Sequence, residues 1–226
     1  MGNRFKIGDI EVLAVSDGYA KFPAHVYFRG TTAEDWEPHK RWLDHEGNAE
    51  FPFACFLVRS GDRRVLIDTG LGWLKMGPFT GGALLAELAA GGVRPEDIDT
   101  VFVTHLHIDH CGTCAVRDGD TIAPGISVIA TPGHTPGHAG VVLSSGTERA
   151  FVLGDALSCP AQLEETEWSG LGDMDPKLAR RTQERVAQEI ETSGALLATA
   201  HFPGLTFGRV LRGEGRRYWQ PVLVNG

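Results

Sequence analysis

The chain has 226 residues, 42% of them hydrophobic, and a formal net charge of −8. That is apolar material enough for a sizeable core, and the acidic balance argues against a nucleic-acid surface, which needs basic patches. No apolar run approaches the length of a transmembrane helix, and Met1-Gly2-Asn3-Arg4-Phe5-Lys6 offers no leader-like stretch. A cytoplasmic protein with no nucleic-acid or membrane partner is expected.

In chain order, residues 6–15 read as a strand pair broken at Gly8-Asp9, a hairpin-type turn signal. Residues 16–50 read as an irregular excursion, rich in aromatics and charge, that walls a pocket. Residues 53–59 and 63–68 form a hairpin around Ser60-Gly61-Asp62, and 83–90 a short apolar helix stopped by Gly91-Gly92. A buried strand follows at Thr100-Val101-Phe102-Val103, and further strands at 126–130, 140–144 and 150–153. Asp175-Pro176 pairs an N-cap with a proline at the first helical position. Leu178, Thr182, Val186 and Ile190 then recur every fourth residue, giving one packed face on a helix that ends at Gly194. A final strand at 196–200 delivers His201. Arg180-Arg181 and Arg216-Arg217 lie near Glu184, Glu189, Glu191 and Glu214 and read as solvated faces. Cys55, Cys111, Cys114 and Cys159 form no disulfide framework. Cys111-x-x-Cys114 lacks the second ligand pair a zinc knuckle needs, so free thiols are expected.

The chemistry gathers in Thr104-His105-Leu106-His107-Ile108-Asp109-His110. Four ligand-type side chains at the end of a buried strand are costly to desolvate unless something compensates them. Imidazole and carboxylate together suit a divalent metal. His105 and His107, two apart in extended chain, point the same way and can grip one ion. Asp109 and His110 fall after the strand, where a turn swings them toward a second. His25, His39 and His45 show no ligand spacing and read as ordinary structural or surface residues.

The run His105-x-His107-x-Asp109-His110 resembles the signature of the metallo-β-lactamase-fold hydrolases. Four further motifs follow the family's order: Val65-Leu66-Ile67-Asp68-Thr69-Gly70, Thr131-Pro132-Gly133-His134-Thr135-Pro136-Gly137-His138, Phe151-Val152-Leu153-Gly154-Asp155, and Thr199-Ala200-His201. The match spans roughly residues 50 to 205. The resemblance implies an α/β four-layer αββα sandwich, taken as one domain over 1–226. It places His105, His107 and His134 on one metal, Asp109, His110 and His201 on a second, and Asp155 between them. Asp68 would accept the outer ring N–H of a ligand imidazole, and His138 takes a hydrogen-bonded structural role. The cofactor implied is a pair of divalent ions, zinc first, with iron, manganese or cobalt as alternatives. One departure concerns length: 23 residues separate His110 from His134, a shortened segment for this family.

A metal-bridged hydroxide would be the nucleophile, with Asp109 passing a proton to the leaving group. The segment from Gly92 through the metal motif, Asp173-x-Asp175 and Ala200-His201-Phe202-Pro203-Gly204 most resemble the branch of lactonases and methyl parathion hydrolase. Lactonases often carry a tyrosine shortly after the bridging aspartate; Leu157 and Ser158 occupy that region here. The expected activity is therefore hydrolysis of lactones or aryl esters, with phosphotriesters (organophosphates) as a side class. A glyoxalase II-type thioesterase and a catalytically silent metal-binding scaffold are the alternatives. Phe22, Tyr27, Phe28, Trp36, Trp42, Phe51, Trp73, Phe79 and Trp168 are candidate wall residues, with Phe28 and Trp73 singled out. The partners expected are a small-molecule ester, lactone or phosphotriester, with a homodimer left open.

Overall fold

The computed structural model describes residues 3–72, 75–105, 107, 109–110 and 118–222. Trp73, Cys111 and Cys114, and with them part of the shortened segment, lie outside the described residues. The chain opens with a hairpin of β1 (Asn3–Ile7) and β2 (Ile10–Pro23) about Gly8-Asp9. After α1 (Ala24–Tyr27) and a 3-10 helix (Glu34–Trp42), β3 (Asn48–Ser60) pairs with β2, and β4 (Arg63–Ile67) folds back on β3. Two short strands, β5 (Lys75–Met76) and β6 (Phe79–Thr80), extend this sheet beside β2. Helix α2 (Leu84–Ala90) then crosses to β7 (Thr100–Phe102), which pairs parallel with β4.

The second sheet runs β8 (Thr121–Ala123), β9 (Ile126–Ala130), β10 (Ala139–Ser145) and β11 (Glu148–Val152). Helices α3 (Ala161–Glu164) and α4 (Pro176–Ser193) precede β12 (Leu196–Ala198), parallel to β11. The hairpin β13 (Gly208–Gly213) and β14 (Arg216–Pro221) completes it.

Alternation along the strands fills the space between the sheets. Val12, Phe56, Ile67 and Phe102 from the first meet Val128, Val141, Val152 and Phe207 from the second. The outer face of the first sheet packs Leu13, Leu57 and Leu66 under Leu84 and Leu88 of α2. The outer face of the second packs Ile129, Phe151 and Leu197 under Val186 and Ile190 of α4. The result is the αββα sandwich. Asp175 caps α4 by accepting from the Leu178 amide at 3.0 Å, and Gly194 closes it at φ 65°, a conformation glycine takes without strain.

Three expectations are corrected. Residues 16–50 are not wholly irregular: β2 continues to Pro23 after a register shift between Ser16 and Tyr19, and β3 begins at Asn48. Strand pairing with a neighbour overrides the weak local signal there. The strand before His201 is also not the last, since β13 and β14 follow. Arg217 within that hairpin is buried, not solvated, donating to Glu184 at 2.6 and 2.9 Å and to Glu191 at 2.7 Å. Among the described residues no helix is long and apolar enough to cross a membrane.

Candidate metal centre

Both parallel pairs, β4–β7 and β11–β12, end at the same edge of the sandwich, and the chain leaves each of these strands into a loop bearing ligand-type residues. Asp68 follows β4, His105–His110 follow β7, Asp155 follows β11 and His201 follows β12. Such strand ends are where α/β proteins gather ligands. The sheets are tied together there. The Ala54 amide donates to the Ala200 carbonyl at 3.1 Å, and the Ala139 amide to the Thr104 carbonyl at 3.1 Å. Gly154 permits the approach, because a Cβ there would stand 2.8 Å from Thr104 Oγ1.

Two groups of donor atoms result, one from His105, His107, His134 and Asp155, the other from Asp109, His110, Asp155 and His201. Within each group the donors lie within 4.8 Å of one another. Asp155 belongs to both. Its Oδ2 is 3.0 Å from His201 Nε2 and 3.3 Å from His134 Nε2, while Oδ1 is 3.1 Å from His110 Nε2. A tetrahedral ion with ligands at 2.0–2.1 Å would hold donors about 3.4 Å apart, so these spacings suit a cation.

The outer ring nitrogens are anchored, which fixes what the inner ones can do. His110 Nδ1 donates to Asp68 Oδ2 at 2.8 Å, His134 Nδ1 to Asp173 Oδ1 at 3.0 Å, and His201 Nδ1 to the Pro52 carbonyl at 2.8 Å. His105 Nδ1 lies 3.0 Å from Thr104 Oγ1, whose hydroxyl donates on to Asp68. With their protons on Nδ1, these rings turn bare Nε2 lone pairs inward. His105 Nε2, His110 Nε2 and Asp155 Oδ1 are buried without a hydrogen-bond partner. Inward-facing acceptors that lack donors are what a cation resolves, so the residues present fit a pair of divalent ions.

Charge in the cluster is strongly perturbed. Burial opposes charge on His110, but Asp155 and Asp68 outweigh it and raise its pKa well above the imidazole value, so the carboxylates favour a positive charge, proton or metal, at its Nε2. Burial likewise works against the Asp155 carboxylate, yet His201, His110 and His105 hold it far below the usual range. Burial drives His105 down. His138 is pushed down to about 3 by burial. Its Nε2 accepts the Asp155 amide at 3.1 Å and its Nδ1 pairs with Thr131 Oγ1 at 2.7 Å, so one nitrogen holds the Asp155 backbone while the other anchors the ring.

Over the two groups opens a cavity of about 430 Å³, lined by Ala20, Phe22, Tyr27, Phe51, Phe53, Phe79, Leu171 and Gly172 together with His107, Asp109, His134, Asp155 and His201. Comparison with known proteins bears on this arrangement. Residues 50–116 match the model of the metallo-beta-lactamase superfamily. The matched stretch carries Asp68, His105, His107, Asp109 and His110. The human metallo-beta-lactamase domain-containing protein 1 is 30% identical over 150 residues, covering 54% of this chain and 53% of that protein. The chain thus spans about half the length of that relative. An N-acyl homoserine lactonase of Bacillus thuringiensis is 21% identical over 203 residues, covering 66% of this chain and 81% of that one. Among solved structures, AidC, a dizinc quorum-quenching lactonase, superposes with a TM-score of 0.89 at 19% identity, covering 100% of this chain and 98% of that one. The hydrolase AbOPH gives 0.86 at 23% identity, with the same coverage.

The pocket wall differs from what the sequence suggested. Phe28 is fully buried and lines no part of the cavity: its backbone bridges to Gly170 and its ring packs on Trp36 at 5.1 Å. Phe22, Tyr27, Phe51 and Phe79 do line it, as does Phe53, which the sequence analysis passed over. Trp73 lies outside the described residues. Asp173 was also missed as a site residue. It accepts from His134 and from the Gly170 amide at 2.9 Å, and Gly172 beside it leaves room for the His134 ring, since a Cβ would sit 2.6 Å from His134 Cε1. A polar residue just before a helix cap gives no sequence signal for contact with a histidine 39 residues away. His39 is buried between Glu164 and Glu165, remote from the ligand groups in its partners.

Proposed function

We propose that this chain is a dinuclear-metal hydrolase of uncharged lactones and aryl esters, with phosphotriesters as a side class. The observation that carries the reading is the pair of donor groups sharing Asp155 at the foot of an apolar cavity. His105, His107, His134 and Asp155 would hold one ion, and Asp109, His110, Asp155 and His201 the other. Zinc is the first choice, with iron, manganese or cobalt as alternatives; similarity to a dizinc lactonase supports it. When bound, two such ions acidify a water molecule and polarise the oxygen of the bond under attack.

The chain's own groups supply the rest. Asp155 fixes the two ligand groups relative to one another. Asp68 and Asp173 hold the His110 and His134 rings in the tautomer that leaves Nε2 bare. Asp109 keeps its Oδ2 against His110 at 3.4 Å and His201 at 3.6 Å and is only half-buried, so its carboxylate is the group to carry a proton to the leaving oxygen. Phe22, Phe51, Phe53 and Phe79 exclude water from the acyl or aryl group. Among the described residues no Lys or Arg lines the cavity.

The test begins with metal content of protein purified without added metal or chelator. About two equivalents per chain, with turnover of a lactone or aryl ester that Asp109→Asn reduces by about a hundredfold or more, supports the reading. Two equivalents without turnover of any ester would leave a metal-binding scaffold. One or none after reconstitution would remove the dinuclear mechanism.

A further inference from the structure

We propose that the outer face of the first sheet holds a second ligand site, for an organic monoanion with a carboxylate head and an apolar tail. A cavity of about 380 Å³ opens there, past the end of α2, a size common among small-molecule sites. It is separate from the metal centre: β4 enters beside the cavity with Arg64 and leaves, after Ile67, into Asp68 at the donor groups. The site does not depend on the hydrolase reading above.

The strand register builds this site. Lys6 on β1 faces Glu11 on β2, Glu11 faces Arg59 on β3, and Arg59 faces Arg64 on β4. One row of side chains across four strands thus carries three cations and one anion, and all four line the cavity. Side chains two apart in a strand share a face, so the next row on that face is Arg4, Leu13 and Leu57. Helix α2 stops at Ala90, which leaves the two leucines on the cavity floor with Gly91, Gly92 and Val93 beside them. An apolar floor therefore adjoins a cationic row, in a chain whose net charge is −8.

Charge decides the ligand. Arg59 and Arg64 stand directly opposite one another, and like charges so placed destabilise a sheet. Glu11 offsets this only in part. Lys6 Nζ is 3.5 Å from its Oε1 and Arg59 Nη1 is 4.0 Å from its Oε2, so one carboxylate serves two cations and is at hydrogen-bond length from neither. Arg64 donates to the Asp97 carbonyl at 3.3 Å and Arg4 to the Gly91 carbonyl at 2.8 Å. A carbonyl carries no net charge to cancel theirs, and the Asp97 carboxylate is held by Arg94 at 2.9 Å. Where Lys6 and Arg59 converge on Glu11, one positive charge is in excess, and a single carboxylate balances it. A guanidinium takes a carboxylate through two parallel N–H donors, while a tail laid on Leu13, Leu57 and Val93 is removed from water.

The test titrates octanoate into the full chain as purified, followed by the backbone amide resonances of Gly91, Gly92 and Val93, which report this cavity and not the metal centre. Octanoate should shift them saturably. Arg59→Gln and Lys6→Gln should each weaken binding about fivefold, and the two together about twentyfold. Glu11→Gln should tighten it about fivefold, because both cations are released to the ligand. A purely structural role for these residues would not give that opposite sign. Octanol, which has the tail without the charge, should bind more weakly than octanoate and respond to none of the substitutions. Acetate binding as tightly as octanoate would overturn the proposal by showing that the leucine floor contributes nothing. So would an octanoate affinity indifferent to all three substitutions, or the absence of any shift at these amides.

Discussion

At the scale of single residues, the centre depends on groups that hold ligands as much as on the ligands. Asp173 shows this best. Its Oδ1 takes the His134 Nδ1 proton and its Oδ2 the Gly170 amide, so one carboxylate both sets a ligand's tautomer and fixes the loop that forms the cavity lip. Asp173→Asn keeps the shape but offers His134 an amide in place of a carboxylate. Metal affinity at the group containing His134 should fall about 10–100-fold, read by competition with a chromophoric chelator. The ion held through His110 and His201 should be retained more tightly, since Asp68 and Pro52 are untouched. Equal weakening of both ions, or none, would show that Asp173 does not act through His134. The residues of the two donor groups could be picked out of the sequence because each sits in a short motif that follows an apolar strand. Asp173 was not legible as a site residue, because what places it there is a fold that brings residues 134 and 173 together.

At the scale of elements, α4 is tied to the β13–β14 hairpin by ions as well as by apolar packing. Arg217 reaches Glu184 and Glu191 on α4, and Arg212 reaches Glu191 at 2.6 and 2.9 Å. Hydrogen bonds from Arg212 and Arg217 hold the Glu191 carboxyl at about 2, against an ordinary value of 4.5. A carboxyl depressed in the folded state stabilises above its unfolded pKa, and that stability is lost as pH falls from about 4.5 through about 2. Arg217→Gln should therefore lower stability by about 1–3 kcal/mol at neutral pH. The gap between variant and wild type in urea unfolding should narrow as the pH drops through that window. A gap that does not change with pH would make Arg217 a packing residue alone. This network also explains why the hairpin escaped the sequence reading. In β14 every second residue faces inward, but the inward positions are Arg217 and Trp219. A charged side chain at a core-facing position erases the apolar alternation by which strands are recognised. The helix was legible for the opposite reason, since the Asp175 cap, Pro176, a four-residue apolar spacing and Gly194 all agree.

At the scale of the whole molecule, the donor groups sit where the two sheets are joined. Asp68 and His105–His110 come from the first sheet, and His134, Asp155 and His201 from the second. His201 reaches back across to the Pro52 carbonyl. Bound ions would thus fasten one half of the sandwich to the other, and their removal should be felt as lost stability as well as lost activity. An ion present at 100 times its dissociation constant adds about 2.7 kcal/mol to the folded state. For a chain of this size each kcal/mol moves the thermal midpoint by about 2–4 °C. Stripping with a chelator should then lower the midpoint by about 5–10 °C per ion, and zinc should restore it. Asp155→Ala removes the carboxylate common to both groups, so its midpoint should respond little to chelator or zinc. An unchanged midpoint in wild type whose metal loss is confirmed by elemental analysis would mean that the sheets are held by the apolar layer between them alone, with Val12, Phe56, Val141 and Phe207 at its centre.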